Sequence, residues 1–151
     1  MTGPALLDVN VLVALFQPDH PQHEVAHDWF ADNQMHGWAT CPLTQNGFVR
    51  VLASPRHGAV NRPVDLLNHL TQLCRSKHHV FWPESVSLTD TKIFNAALIR
   101  GHRQVTDIYL LGLAKKMNGY LVTFDSGIPL GAVIGATRST LAVVSAVDSS
   151  E

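Results

Sequence analysis

Asp8 is a carboxylate in the most apolar run of the chain, residues 5–16. Its neighbours are Leu7 and Val9, and a run of this kind is typical of a strand buried on both faces of a parallel sheet. An ionised carboxylate is costly in such surroundings unless it is paired or binds a metal ion. The simpler alternative is that Asp8 ends the strand and caps the next turn, a common role for aspartate. Its chemistry therefore depends on whether other acids meet it.

A second carboxylate, Asp107, is predicted to face the core from the first turn of a helix. It precedes Leu110 and Leu111 by three and four residues, so it lies on the apolar stripe of a helix predicted over about 106–117. The helix dipole favours an acid in the first turn, but it does not require the inward face. The pattern therefore favours an inward carboxylate.

A third carboxylate, Asp125, follows the strand predicted over 120–124 and stands at its carboxyl end. Alone, Asp-Ser-Gly is most often a turn. Asp8 also closes a predicted parallel strand, and binding sites form beyond the carboxyl ends of such strands. Asp107 joins them if the chain over 101–104 crosses that edge of the sheet, which the sequence permits. These three aspartates are the candidate catalytic group.

Three converging carboxylates with no lysine or arginine beside them would repel one another, and a divalent cation relieves the repulsion. Ligands that are all oxygen atoms favour Mg²⁺, or Mn²⁺, over zinc. Such a cation suits in-line hydrolysis of a phosphodiester, because it lowers the pKa of a bound water and stabilises charge on the phosphate oxygens. We therefore expect Asp8, Asp107 and Asp125 to be both catalytic residues and metal ligands.

Two further polar side chains lead apolar helix faces. Gln45 leads the inward face of a helix predicted over 43–53, and Asp90 leads that of a helix predicted over 85–100. For Asp90 we favour ordinary capping of the helix start. Arg50, on the same helix as Gln45, is a candidate phosphate contact, although a surface arginine is an equal alternative.

The apolar periodicities alternate strands with helices along the chain. After the opening strand, strands are predicted over 37–41, 79–82, 120–124 and 141–144, and helices over 22–33, 43–53, 63–76, 85–100 and 106–117. The alternation predicts an α/β fold with a central, mostly parallel sheet covered by helices on both faces.

Length and composition indicate one domain. The 151 residues are expected to fold as a single unit, 1–151, with a polar tail from about 145. No apolar run approaches the roughly 18 residues that a membrane helix needs, and no basic leader precedes the first apolar stretch, so we expect a cytoplasmic protein. Cys41 and Cys74 lack metal or redox spacing. His20, His23 and His27 are predicted to form a solvated surface, because they lack the ligand spacing of zinc sites.

Four short segments together resemble the ordered signature of PIN-domain ribonucleases, most closely the VapC toxins of VapBC toxin–antitoxin systems, which are abundant in mycobacteria. The segments are Leu-Asp-Val-Asn at 7–10, Thr-Gln-Asn-Gly-Phe-Val-Arg at 44–50, Thr-Asp at 106–107 and Thr-Phe-Asp at 123–125. Each is short, but their order and spacing are similar to the family pattern over nearly the whole chain, about 6–144.

The resemblance implies a three-layer α/β/α sandwich, a homodimer, RNA cleavage that depends on Mg²⁺ or Mn²⁺, and inhibition by a VapB-type antitoxin. The family's targets are structured RNAs such as transfer RNA or ribosomal RNA, cut in exposed single-stranded parts. Apolar residues on the early helices, such as Trp29 or Phe30, are candidates for the dimer surface.

The resemblance also implies roles for individual residues. Asp8, Asp107 and Asp125 fall on the family's acidic metal site, and Asn10 and Thr123 fall on its polar surroundings.

One departure from the family pattern leaves the activity open. Gln45 stands where the family usually has glutamate, and its carbonyl oxygen can hold a metal-bound water but adds no charge. The alternative to an active toxin is therefore a weakened module that binds RNA or an antitoxin without efficient cleavage. A phosphatase-like or response-regulator-like domain is disfavoured, because no lysine follows Lys116 to serve a phosphate site.

Overall fold

The computed structural model describes residues 1–55 and 61–145. Within them the strands are β1 (Ala5–Leu7), β2 (Trp38–Thr40), β3 (His79–Phe81), β4 (Tyr120–Thr123) and β5 (Leu141–Val143). The α-helices are α1 (Val9–Phe16), α2 (His23–Asn33), α3 (Pro42–Ala53), α4 (Pro63–Cys74) and α5 (Val105–Lys116). Single 3₁₀ turns cover 34–36, 96–98, 102–104, 130–132 and 138–140.

The strands form one parallel sheet in the order β3-β2-β1-β4-β5. The central pair is β1 and β4, with Leu7 opposite Val122. The ladder continues one residue further, because the backbone N–H of Asp8 donates to the carbonyl of Val122 at 2.9 Å. The predicted α/β fold with a parallel sheet is confirmed, and the residues that follow β1 and β4 share one edge.

Apolar side chains pack on both faces of this sheet, because successive strand residues point to opposite sides. Leu7 and Val122 are buried in a core that also holds Trp38 and the inward faces of α1 to α4. Leu6 and Leu121 are buried on the other face, against α5 and the irregular segments around it. The sheet is thus the middle layer of three, as the resemblance implied.

The prediction of a strand through the whole opening run is wrong, because the strand ends at Leu7. Asp8 caps α1: its Oδ1 accepts a hydrogen bond from the N–H of Val9 at 2.7 Å. The run is rich in β-branched residues, which favour strands, but the residues from Val11 to Ala14 gain their burial as a helix against the core. The simpler alternative for Asp8, strand end and cap, is therefore confirmed as part of its role.

The prediction of a helix over 85–100 is also wrong, because the structure has no α-helix in that range. Asp90 Oδ1 accepts a hydrogen bond from the N–H of Lys92 at 2.9 Å, a local contact that competes with helical hydrogen bonding. Phe94, which the helix would have directed inward, is buried through an antiparallel bridge to Val133 instead. The other predicted elements form with ends shifted by one or two residues, within the usual variation of assignment.

Trp29 and Phe30 are half-buried rather than free on the surface. Both pack against the core, and the ring of Phe30 meets Trp38 edge-on with centroids 5.3 Å apart. Among residues 1–55 and 61–145, no helix is long and apolar enough to span a bilayer. The tail predicted from about 145 lies almost wholly outside the described residues.

Candidate active site at the carboxyl edge of the sheet

Asp8 enters the site from the end of β1 and is 5% exposed. One of its oxygens is engaged by the start of α1 through the N–H of Val9, and the other accepts a hydrogen bond from Thr123 Oγ1 at 2.8 Å. The carboxylate is therefore fixed in direction from two sides. Each oxygen still has a lone pair free for another partner.

Thr123 is the hub of the polar contacts around Asp8. It is the last residue of β4 and is fully buried. Its hydroxyl donates to Asp8, accepts from the backbone N–H of Asp125 at 3.1 Å, and lies 3.4 Å from the Nδ2 donor of Asn10. One threonine thus connects three of the residues predicted for the site.

Asp107 reaches the same edge from the third position of α5. The 3₁₀ turn His102–Gln104 leads directly into this helix. Asp107 is half-buried, and its carboxyl lies within hydrogen-bonding reach of both Asp8 and Asp125. The geometric condition for the three aspartates to meet is fulfilled.

Asp125 is exposed and forms the outer part of the group. Its Oδ1 accepts a hydrogen bond from the N–H of Gly127 at 2.7 Å, which closes a local turn. The turn predicted from Asp-Ser-Gly is therefore present. The turn holds the Asp125 carboxyl beside Asp107, so the residue that closes the turn also belongs to the group of three acids.

Burial and the neighbouring acids raise the pKa values of Asp107 and Asp8. Burial, followed by the negative charge of Asp8 and contacts with Asp125, raises the pKa of Asp107 to about 7. Burial also raises the pKa of Asp8, with a contribution from Asp125, although hydrogen bonds from Thr123 and Val9 oppose the shift. Without a cation, therefore, the folded protein retains a proton in this group near neutral pH.

The residues present suit a hard divalent cation. No lysine or arginine among the described residues forms an ion pair with these carboxylates, and Asn10 Oδ1 is buried without a hydrogen-bond partner. Oxygen ligands of this kind match Mg²⁺ or Mn²⁺. Within residues 1–55 and 61–145, however, no three His, Cys, Asp or Glu side chains surround one common point. Instead, Asp107 contacts Asp8 and Asp125 separately.

Gln45 is directed away from the three aspartates. Its Nε2 donates to Thr40 Oγ1 at 3.0 Å, and the same hydroxyl lies 2.8 Å from Nε2 of His79. Gln45 also lines a groove of about 500 Å³ between α3 and α4, together with Asn46 and Arg50. No described contact joins Gln45 to the acidic group.

Arg50 is exposed on α3 beside that groove. Asp90 accepts a hydrogen bond from the N–H of Lys92 in a local turn, and it caps no α-helix, because the helix predicted over 85–100 does not form. Neither residue contacts Asp8 or Asp107 among the described interactions.

His20 lines the acidic cavity, although it was predicted to lie on a solvated surface. The cavity has a volume of about 340 Å³ and is bordered by Asp8, Asn10, Asp107 and His20, among others. Nδ1 of His20 accepts a hydrogen bond from the N–H of Gln22 at 3.0 Å. The neutral ring therefore carries its hydrogen on Nε2, which makes it a donor rather than a metal ligand. Because His20 lies in the loop between α1 and α2, no helix periodicity could have revealed its position.

Known proteins resemble this chain in sequence. A family model of the PIN domain matches residues 5–131. Ribonuclease VapC44 of Mycobacterium tuberculosis is 44% identical over 140 residues, which cover 93% of this chain and 99% of VapC44. Ribonuclease VapC39 of the same species is 38% identical over 132 residues, 87% of this chain and 95% of VapC39. Ribonuclease VapC38 is 45% identical over 126 residues, 82% and 86% of the two chains.

A solved structure shares the fold. The crystal structure of Mycobacterium tuberculosis VapC20, a sarcin–ricin loop cleaving toxin, matches with a TM-score of 0.58 at 12% sequence identity, over 82% of this chain and 91% of that chain. At this identity the likeness concerns the fold alone. The PIN-domain match and the extent of identity to three VapC ribonucleases show more: the chain belongs to the PIN-domain family and, within it, to the VapC-type ribonucleases.

Proposed function

We propose that the protein is an endoribonuclease toxin that requires Mg²⁺ or Mn²⁺ and cleaves structured RNA, such as transfer RNA or ribosomal RNA. The observation that carries the proposal is the position of Asp107, whose carboxyl lies within hydrogen-bonding reach of both Asp8 and Asp125. Such a concentration of unpaired negative charge is unfavourable for the protein alone and favourable for a bound cation.

Asp8, Asp107 and Asp125 would hold the cation, with Asn10 Oδ1 as a further oxygen facing the site. When bound, the cation would polarise the phosphodiester and lower the pKa of the attacking water. Thr123 and the N–H of Val9 keep the carboxylate of Asp8 in one direction. A bound cation would favour the ionised form of Asp107, because its positive charge opposes the rise in pKa that burial and the neighbouring acids cause.

RNA would approach along the surface formed by α3. The groove that contains Gln45, Asn46 and Arg50 offers two amides and a guanidinium above an apolar floor, a combination suited to nucleobases and a phosphate. Arg50 is the proposed phosphate contact. Because the substrate is RNA, we propose a cytoplasmic site of action.

The partners are also part of the proposal. A VapB-type antitoxin would neutralise the toxin by placing a basic side chain near the three carboxylates, where opposite charge is favoured. A homodimer is proposed from family membership. Of the two candidates for its surface, Phe30 contributes only through its exposed fraction, because it packs partly against the core, whereas Trp29 borders the groove beside β5.

A weakened binding module is the second candidate, and the contact of Gln45 argues against it. Because the Gln45 amide donates to Thr40, replacing a glutamate at this position removes no ligand from the group that Asp107 connects. Gln45→Glu should therefore leave the rate of cleavage within about threefold, a change typical of a surface substitution. Activity that appears only in Gln45→Glu would instead establish the weakened module.

The experiment that tests the proposal is cleavage of total bacterial RNA by the purified protein with Mn²⁺ or Mg²⁺. EDTA and Asp8→Asn are the controls, since asparagine keeps the size of the side chain and the oxygen that caps α1. Discrete fragments that disappear in both controls are expected. Fragments that persist in Asp8→Asn would contradict the proposed site, and a folded wild-type protein that cuts no RNA would favour the binding module.

A further inference from the structure

A groove separate from the acidic cavity runs between helix α2 and strand β5. Its volume is about 680 Å³. One side of the groove is formed by Glu24, Val25, Asp28, Trp29 and Asp32 of α2. The other is formed by residues 141–145, and Met1 also borders the groove. None of these side chains is a lysine, an arginine or a histidine. The groove therefore has an apolar floor, and the charged side chains along its wall are all acidic.

The wall is a row of acids on α2. Glu24, Asp28 and Asp32 follow one another at intervals of four residues, so they lie on one face of the helix. All three are exposed, and the described residues provide no ion pair for any of them. Like charges at this spacing repel each other and destabilise a helix. The row does not serve the stability of the isolated chain.

The opposite side of the groove is an open sheet edge. Among residues 1–55 and 61–145, strand β5 pairs only with β4, so it lies at one end of the sheet order. The N–H of Val144 donates to the carbonyl of Thr123 at 2.8 Å, so the preceding residue, Val143, directs its backbone groups away from β4. The side chain of Val143 is 41% exposed. This edge can accept a further strand.

We propose that the groove binds an extended, basic segment of a protein partner, which adds a sixth strand beside β5 and places lysine or arginine side chains along Glu24, Asp28 and Asp32. Strand addition satisfies the free backbone groups at Val143, and the aliphatic stems of the lysine or arginine side chains, which share one face of the added strand, lie on the apolar floor at Val25 and Trp29. The acid row selects the charge of the partner.

The negative charge of the acid row excludes a second copy of the chain and RNA as occupants of the groove. A second copy of this chain would bring its own acid row close to the same edge, and the chain carries a net charge of −1. RNA would bring phosphates against three carboxylates. Only a basic segment turns the row into an attractive contact. The inference is independent of the nuclease proposal, because it uses none of the residues around Asp8.

The test is titration of the protein with a synthetic ten-residue peptide that alternates arginine and valine, followed by calorimetry. Asp28→Asn should weaken binding by about two- to fivefold, and the triple variant Glu24→Gln/Asp28→Asn/Asp32→Asn by about 10- to 100-fold, the range expected for exposed ion pairs. Asp65→Asn is the matched control, because Asp65 is an exposed helical acid on α4 outside the groove. It should bind like the wild type.

Two further measurements separate strand addition from general attraction of charge. The amide of Val143 should become protected from hydrogen exchange when the peptide binds, and a peptide with alternate backbone N-methyl groups should not bind. Equal loss of affinity in Asp65→Asn, or an unprotected Val143 amide, would overturn the proposal. A wild-type protein that dimerises through this edge, or that binds single-stranded RNA there more tightly than the arginine–valine peptide, would also overturn it, in favour of those occupants.

Discussion

Thr123 Oγ1 donates a 2.8 Å hydrogen bond to Asp8 Oδ2, across 115 positions of sequence. The contact joins the ends of β4 and β1, the two central strands, at the edge where Asp107 also arrives. Because Thr123 accepts from the N–H of Asp125 as well, it fixes the separation between the innermost and outermost acids. The site is therefore built on the sheet, and it does not depend on a flexible loop for its geometry.

Thr123→Val should lower cleavage and Mn²⁺ affinity by about 10- to 100-fold, the usual effect of losing a hydrogen bond that orients a metal ligand. Valine keeps the shape of the side chain and loses the donor, so Asp8 becomes free to rotate. Thr123→Ser restores the hydroxyl and should retain most of the activity. The check is the rate of RNA cleavage as a function of Mn²⁺ concentration. Equal rates in the wild type and Thr123→Val would contradict this role.

Asp107→Asn should abolish cleavage and, at the same time, stabilise the metal-free protein. The substitution removes a carboxyl that is surrounded by Asp8 and Asp125. After allowance for solvent screening, we expect a gain of about 1 kcal/mol in the free energy of unfolding, or about 2–4 °C in Tm for a chain of this length. Thermal unfolding in EDTA measures the gain. A fall in Tm would show that Asp107 makes a stabilising contact and is not repelled by its neighbours.

The stability of the metal-free protein should fall as the pH rises. The pKa of Asp107 is about 7 in the folded protein and has an ordinary value of 3.8, so between these values the folded state binds more protons than the unfolded state. The free energy of unfolding therefore decreases with pH in this window. The raised pKa of Asp8 acts in the same direction.

Thermal unfolding in EDTA between about pH 5 and about pH 8 measures this dependence. Asp107→Asn should reduce the slope without removing it, because Asp8 remains. Saturating Mn²⁺ should reverse the trend, since the cation binds the deprotonated acids. A stability that rises with pH in EDTA would contradict the raised pKa values.

His20→Ala should lower the rate of RNA cleavage by about 10- to 100-fold, the effect of losing one hydrogen bond to a charged group. The ring lines the cavity of Asp8 and Asp107, and its Nε2 carries the hydrogen that would meet a phosphate oxygen. Mn²⁺ affinity should not change, because that nitrogen is not a metal ligand. His36→Ala, at an exposed histidine outside this cavity, is the control. A matching loss of Mn²⁺ affinity would instead place His20 among the ligands.

The parallel sheet and the approach of Asp8 to Asp125 could be predicted, because both depend on short-range patterns. Strand residues at 120–123 are recognisable locally, and a carboxylate at a strand end stays at that edge in any parallel sheet. The inward side of Asp107 followed from its spacing to Leu110 and Leu111. That its helix begins at the same edge depends on the path of 101–104, which only the tertiary structure decides.

The errors arose where tertiary contacts override local preference. The β-branched residues after Asp8 favour a strand, but the cap that Asp8 itself provides starts α1 at Val9. In 85–100 the apolar spacing was helical, and the bridge between Phe94 and Val133 replaced the helix. The role predicted for Gln45 beside the metal site stays a prediction, since its described side-chain contact is with Thr40. His20 reaches the cavity from a loop, whose course no periodicity describes.

The most direct test of the metal site is calorimetric titration of the protein with Mn²⁺, paired with RNA cleavage at the same Mn²⁺ concentrations. Asp8→Asn and Asp125→Asn are the test variants, and Asp90→Asn is the control, because asparagine preserves its hydrogen bond to Lys92. We predict Mn²⁺ binding and cleavage that rise together in the wild type and Asp90→Asn, with both lost in Asp8→Asn and weakened in Asp125→Asn. Mn²⁺ binding that is unchanged in Asp8→Asn, or RNA cleavage that persists in EDTA, would contradict a metal-dependent nuclease centred on these three aspartates.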